Sequence, residues 1–343
     1  MHVDLMTLPM PLPEVAALAR RVQDLGVDGL VVTEAGRTAY LSCGVAAVAA
    51  PGLHLATGVA VAFPRSPMVT ASAAWELAEA TGGRFRLGLG TQVRAHVERR
   101  YGADFESPGP RLRDHVLAVR AAFRAFRGEE RLDHRGPFYE LTLLPRDWSP
   151  GPIGSPDPPI DVAAVNPWML RMAGEVADGI HVHPLNTPTY LAETVGPELA
   201  VGAGRIGRDP GEVTRIVPCF TVVGDDDEER GRWRELARLQ VAFYGSTPNY
   251  AFVFEQVGRP GTTEALRERQ RDGDVAGMAA VIDDDLLRHF VVEGTWDELP
   301  ERIVDRYAGV ADRVVLYFGG IAARADDGSL ERFARLAATV SHG

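Results

Sequence analysis

Lysine is missing altogether, so every one of the 36 basic residues is arginine. Its absence excludes Schiff-base amine catalysis and lysine-bound pyridoxal phosphate, two frequent uses of large barrels. Cysteine is scarce, and Cys43 and Cys219 stand far apart in no metal-ligand spacing. They read as buried thiols in a reducing compartment rather than as nucleophiles. No stretch reaches the roughly 20 uninterrupted apolar residues that a membrane helix needs, and the opening MHVDLMTLPMPLPEV has no basic segment followed by an apolar run. A net charge of -11 argues against a general nucleic-acid surface. The expectation is a soluble cytoplasmic protein whose partner is a small-molecule substrate, with no membrane and no nucleic acid involved.

What is present is 45% hydrophobic residues in a chain of 343, enough to bury a large core. That length is long for one domain but ordinary for a barrel. The stretch Leu53–Gln92 organises the rest: a β-branched strand, a Pro-punctuated turn, an Ala-rich helix, a Gly-Gly stop and a second strand ending in small residues. It is one strand-helix-strand unit. Strand-like runs recur at Val3–Met6, Gly29–Thr33, Leu53–Ala62, Phe85–Gly90, Ile160–Val165, Gly179–His183, Arg215–Val223 and Arg313–Phe318. Eight strands separated by helix-period segments predict an α/β fold, a (β/α)8 TIM barrel over residues 1–343 as a single domain. An open doubly wound sheet is the alternative, but its first turn should carry a glycine phosphate fingerprint, and that turn reads LPMPLPEV. GLGLGT is not GxGxxG either.

Helices are expected from Pro13 to just before Gly26, over Arg111–Arg127, and after a capping box formed by Thr295 and Glu298. Residues 128–159 are turn-rich and read as a short hairpin and a proline-laden surface loop. The longest insertion, about 224–294, falls between strands 7 and 8 and contains helical patterns at Glu228–Tyr244 and Glu264–Arg271. At that position it is a candidate lid. The acidic run Asp225–Arg230 reads as a helix start favoured by the macrodipole.

A barrel carries its active site where its strands end, so those residues are the ones to inspect. Glu34, after strand 2, would be half buried and needs a partner, either the next helix or Arg37. Gly58, inside strand 3, marks a bulge or a close backbone approach. Asn166-Pro167 ends strand 5 and opens a helix whose free N–H groups could hold an anion, and Gly319-Gly320 after strand 8 is a second such loop. His181 and His183 alternate along one strand, but the later strands supply no further His and Asp for a metal. His183 is read as a contact residue at the strand end and His181, one layer deeper, as packed core. The run Gln92–Arg100 offers Arg94, Arg99 and Arg100, either as a solvated face or as a guanidinium grip on an anion.

Several of these words carry a resemblance: Arg65-Ser66-Pro67, Gly82-Gly83-Arg84-Phe85-Arg86-Leu87-Gly88-Leu89-Gly90, PPIDVAAVNPWMLRMAGEVADGIHVHP, DDDLLRHFVVEGTWDELPERI, the run Gly90–Gly102 and FYGSTPNY at Phe243–Tyr250. On them the chain resembles the luciferase-like monooxygenase superfamily of flavin and deazaflavin oxidoreductases, within it a coenzyme F420-dependent subgroup. The resemblance implies hydride transfer between F420 and an organic substrate, with a likeness to FMN-dependent two-component monooxygenases as the alternative and a non-catalytic flavin-binding barrel as a third reading. It implies a homodimer. It also implies that Glu34, Thr57, Gly58, Val59, Thr91, Gln92, Val165, Asn166, Gly319 and Gly320 bind the cofactor, with a bulge and a non-proline cis peptide at Gly58 and Val59. Arg94, Arg99 and Arg100 would grip the phosphate or oligoglutamate tail, and His96, Tyr244 and Tyr250 would face the substrate. Ala35 and Val93 stand where glucose-6-phosphate dehydrogenases of the superfamily have His and Glu, so that activity is not implied. His183 is left as the group to move a proton near neutral pH, with His96 as its competitor. Phe63, Trp75, Trp168 and Phe243 in or near the mouth segments favour a non-sugar substrate.

Overall fold

A computed structural model describes residues 1–325 and 328–342. Its barrel strands are β1 His2–Thr7, β2 Gly29–Val32, β3 His54–Thr57, β4 Phe85–Gly90, β5 Ile160–Ala163, β6 Gly179–His181, β7 Thr214–Val223 and β8 Arg313–Leu316. They follow one another in hydrogen-bonded order, β8 pairs with β1, and β6 pairs with β7, which closes a (β/α)8 barrel. The apolar runs are buried along their whole length, as strands covered on both faces require. Several expected strand ends move in: β2 stops at Val32, β5 at Ala163, β6 at His181 and β8 at Leu316, and β3 breaks after Thr57 before resuming at Ala60–Val61. Among the described residues no helix is long and apolar enough to cross a membrane.

The chain divides into two compact units, one comprising Leu5–His181 and Glu198–Arg215, the other Met1–Asp4, Val182–Pro197 and Ile216–Gly343. In the first, β2 to β6 pair in parallel register through Val32 with Thr57, Leu55 with Phe85, Leu87 with Ile160 and Asp161 with Gly179. Arg86 on β4 forks onto Asp161 on β5, with Nε to Oδ2 at 2.8 Å and Nη2 to Oδ1 at 2.6 Å. Asp161 is fully buried, so this two-pronged contact is what makes its charge tolerable there. Trp75 does not reach the mouth, contrary to the sequence reading. It lies on the helix Pro67–Ala80, packs on Phe123 and Phe126 and donates its ring N–H to the Gly151 carbonyl at 2.9 Å. The predicted hairpin pairs His134 with Leu141 and Arg135 with Glu140. It hangs on buried Asp114, which accepts from the Phe138 and Tyr139 amides and contacts His134 Nε2 at 2.9 Å.

In the second unit β7 and β8 pair, and Arg313 on β8 forks onto Asp4 at 2.8 and 2.6 Å. The insertion after β7 is helical as expected: Asp227–Gly245, Ala251–Gln256, Thr262–Arg271 and Val275–Val281. Asp226 caps the first of these by accepting from Glu229 N at 2.8 Å, and Glu229 reaches back to Asp225 N at 2.9 Å. The acidic run thus caps the helix start from both sides. The insertion ends in a short strand, Val291–Gly294, paired in parallel with Phe220–Val223. The sequence reading missed it, because four residues are too few to show a period. The Thr295 and Glu298 capping box is formed, at 3.0 and 3.3 Å.

Candidate active site

Five residue steps along β3 and its continuation, from Leu55 to Ala60, face four along β4, from Phe85 to Leu89. One residue too many is the definition of a bulge. Gly58 and Val59 fall outside the ladder, and the bond between them is cis. The bulge and the cis bond expected at this place are both present. The local reason is room: a Cβ on Gly58 would lie 2.1 Å from Val31 Cγ1, and one on Gly88 would lie 2.0 Å from the Thr57 carbonyl oxygen and 2.7 Å from His181 Nε2. Only bare backbone fits. Thr57 donates its hydroxyl to the Gly88 carbonyl at 2.7 Å and accepts the Gly88 N–H at 2.9 Å. It is fully buried, and its side chain fixes the bulge against β4. His181 packs against the same glycines as a core residue, as expected.

Glu34 finds its partner in Arg65 rather than Arg37. Its carboxylate takes Arg65 Nη2 at 2.5 Å, Arg65 Nη1 at 3.0 Å and the Val61 amide at 2.7 Å. With a side chain only 3% exposed, Glu34 holds the far side of the bulge instead of presenting an open carboxylate. Arg65 also reaches the Val61 carbonyl and Thr38 Oγ1, and its guanidinium lies over the Tyr40 ring at 4.9 Å. The sequence reading quoted Arg65 as part of a motif but gave it no role.

After β4, Gln92 adopts a positive φ of 56°, and its side-chain oxygen accepts from Val93 N at 2.9 Å, while Thr91 Oγ1 donates to the Gln92 carbonyl. The helix Arg94–Arg99 follows, with His96 exposed on it. Arg94 pairs with Glu98 at 2.6 Å and Arg100 donates to the Ala35 carbonyl. A cleft of about 520 Å³ here is lined by Arg94 together with Glu98, Asp104 and Glu106. Carboxylates outnumber the arginine, which disfavours that cleft as a seat for an oligoglutamate tail. Asn166 caps the ten-residue helix Pro167–Val176, accepting from Met169 N at 3.0 Å, and Val165 precedes it.

In the second unit, His183 lies in the turn beyond β6, so the strand does not aim it. The turn does. Leu185 N donates to His183 Nδ1 at 3.1 Å, and Asn186 Nδ2 donates to the carbonyls of His183, Pro184 and Pro218 at 3.0, 3.2 and 2.9 Å. Nδ1 is an acceptor, hence the ring proton sits on Nε2. Tyr250 stacks on the imidazole at 4.0 Å and Tyr244 meets it edge-on at 4.7 Å. Burial pushes the His183 pKa down to about 3. In this setting the ring is a neutral hydrogen-bond donor through Nε2. Tyr244 Oη contacts Tyr317 Oη at 2.6 Å. Gly319 and Gly320 are buried at the start of the seven-residue helix Gly319–Ala325. No His, Cys, Asp and Glu cluster of metal-binding form occurs among the described residues.

Residues 1–313 match the luciferase-like monooxygenase family. An uncharacterised protein of Mycobacterium tuberculosis is 35% identical over 329 residues, covering 96% of this chain and 97% of its own. The 5,10-methylenetetrahydromethanopterin reductase of Methanolobus tindarius is 28% identical over 299 residues, 85% and 86% of the two chains. The solved coenzyme F420-dependent tetrahydromethanopterin reductase of Methanopyrus kandleri superposes with a TM-score of 0.78 at 20% identity, over 97% of each chain.

Histidine titration by nuclear magnetic resonance checks the tautomer. His183 is expected to stay neutral, with its proton on Nε2, from pH 8 to about pH 4, and a midpoint near 6.5 would refute this. A second buried histidine, His115, is also pushed from 6.5 down to about 3. Between those values the unfolded chain binds a proton that the folded chain refuses. Stability is therefore expected to fall with pH from about 6.5 downward, by about 1.4 kcal/mol per unit for that residue. Urea midpoints that stay flat from pH 7 to 4.5 in wild type, or that fall as steeply in His115→Gln, would contradict it.

Proposed function

The chain belongs to the luciferase-like monooxygenase family, and from that premise we propose an oxidoreductase that uses coenzyme F420 to move a hydride to or from a small organic substrate. The observation that carries this reading is the bulge at Gly58 and Val59, where the chain leaves the ladder between β3 and β4 and Gly58 has no side chain. A flat deazaflavin ring can approach such a surface closely, and the likeness over most of the chain to a methylenetetrahydromethanopterin reductase and to a solved coenzyme F420-dependent reductase supports the choice of cofactor. When bound, F420 supplies or accepts the hydride.

The residues present fit that group. Gly58 and Val59 back the ring, framed by Glu34, Arg65 and Thr57, which hold the bulge in place. Thr91, Gln92 and Val165 are assigned to its edge. Asn166 leaves the N–H groups of a ten-residue helix for its polar or anionic part, and Gly319-Gly320 is the second such loop. His183 donates from Nε2 to an acceptor atom in the site, while Tyr244 and Tyr250 wall the imidazole and face the substrate. His96 is assigned to the substrate entrance. The insertion 224–294 is assigned as the cover that excludes water. Two free, buried thiols, Cys43 and Cys219, fit a reducing cytoplasm.

The protein is also proposed to be a homodimer. The helix Ala39–Ala49 carries no charged residue, and Leu41 and Val48 on it are 60% and 82% exposed. Val69, on a helix that packs beside it, is 56% exposed. An apolar face of this kind fits a second copy of the same chain. Light scattering should give twice the chain mass for wild type and the single mass for Leu41→Asp with Val48→Asp. A wild-type monomer removes the dimer from the account.

For the cofactor, equilibrium fluorescence titration is expected to give at least tenfold tighter binding of F420 than of FMN, about 1.4 kcal/mol. Equal or tighter FMN binding would turn the reading toward the monooxygenase alternative. Binding without turnover across oxidised and reduced F420 would leave a flavin-binding barrel.

A further inference from the structure

We propose that Tyr244 exchanges the substrate's proton and that Tyr317 and Gln240 connect it to solvent. This rests on the oxidoreductase reading above. Hydride arriving at the carbon of a C=O or C=N bond brings both electrons, breaks the π bond and leaves a pair on the heteroatom, which must take a proton. In the reverse direction the heteroatom must lose one. His183 cannot make that exchange as an imidazolium, because Nδ1 is occupied by the Leu185 amide and the ring is held neutral by its surroundings.

Tyr244 stands edge-on to His183, and its hydroxyl is engaged on one side only, by Tyr317 at 2.6 Å. That is a short hydroxyl pair, of the kind in which protons pass readily. Tyr317 in turn donates to Gln240 Oε1 at 3.3 Å. A carboxamide oxygen accepts only, so Tyr317 gives its proton to Gln240 and receives that of Tyr244. For delivery to the substrate the polarity reverses: water entering beside Gln240 becomes the donor to Tyr317, whose hydroxyl then turns toward Tyr244 and frees the Tyr244 proton. Tyr317 is 8% exposed, whereas Gln240 is half-buried on the long helix Asp227–Gly245, so the buried pair meets water at the glutamine end.

The balance closes. The substrate heteroatom takes the Tyr244 proton, Tyr244 recovers one from Tyr317, Tyr317 recovers one from water at Gln240, and the cofactor is oxidised by two electrons. The ligand class follows: an organic carbonyl or imine, or the alcohol or amine formed from it, with His183 Nε2–H polarising the same heteroatom.

The test uses the full chain, reduced F420, and cyclohexanone and 2-cyclohexenone as probes. Tyr244→Phe is expected to lower single-turnover oxidation of the cofactor by about 100-fold with F420 affinity within threefold. Tyr317→Phe, which keeps the Tyr244 hydroxyl, should lower it by about tenfold and reduce the solvent deuterium effect to that of the single Tyr244 proton. In the protein without cofactor, a downfield and slowly exchanging tyrosine hydroxyl resonance should be present in wild type and missing from both variants. Wild-type rates in Tyr244→Phe overturn the proposal, as does F420 binding with no oxidation by either probe. The cofactor reading survives both of those results and falls only if F420 itself does not bind.

Discussion

The site depends on a place where the barrel has no room for a side chain. Gly58 faces Val31, Gly88 faces the Thr57 carbonyl and His181, and Gly90 faces Val59, each too closely for a Cβ. Four neighbouring groups then become necessary rather than incidental. Thr57 ties the bulge to the Gly88 backbone, Glu34 anchors the Val61 amide, Arg65 neutralises Glu34, and Tyr40 carries the guanidinium on its ring face. The result is a polar frame around the bulge, preorganised before any ligand arrives.

Around His183 the logic is different. An imidazole outside regular structure would ordinarily move, but here its main-chain turn is clamped by Asn186 and its ring lies between two tyrosines. Clamping and burial act together. The amide of Leu185 chooses the tautomer, and the desolvated setting keeps the ring neutral, so a residue that titrates in water becomes a fixed donor. Proton traffic must then pass through other groups, and the neighbouring hydroxyl pair is the one with both reach and an exit.

Much of this was legible in the sequence. The eight strands follow from apolar runs at regular spacing, and the bulge from a glycine in a β-branched strand. Helix ends were legible where chemistry is local: the acidic helix start at Asp225–Arg230, the Thr295 capping box and the helix opening at Asn166-Pro167 are read from near neighbours. Apart from the four-residue strand Val291–Gly294 and the strand ends, the misses are long-range. Glu34 was matched to Arg37, three residues on, when its partner is Arg65 across the bulge. Trp75 looked like a mouth aromatic because its helix faces could not be told apart in an Ala-rich run. Asn186, Tyr317 and Gln240 carry no motif, since each acts through a contact to another strand or helix that only the fold creates. The pKa of His183 belongs to the same class, because burial is not written in a dipeptide.

The most direct test of the account is backbone hydrogen exchange with and without oxidised F420. The amides from Gly58 to Val61 should slow by at least tenfold on F420 binding, with the Asn166–Met169 helix start slowing alongside them, and FMN at the same concentration should have a much smaller effect. F420 that binds while leaving Gly58–Val61 unchanged would show that the bare backbone of the bulge is not the cofactor's seat, and the central claim would fail.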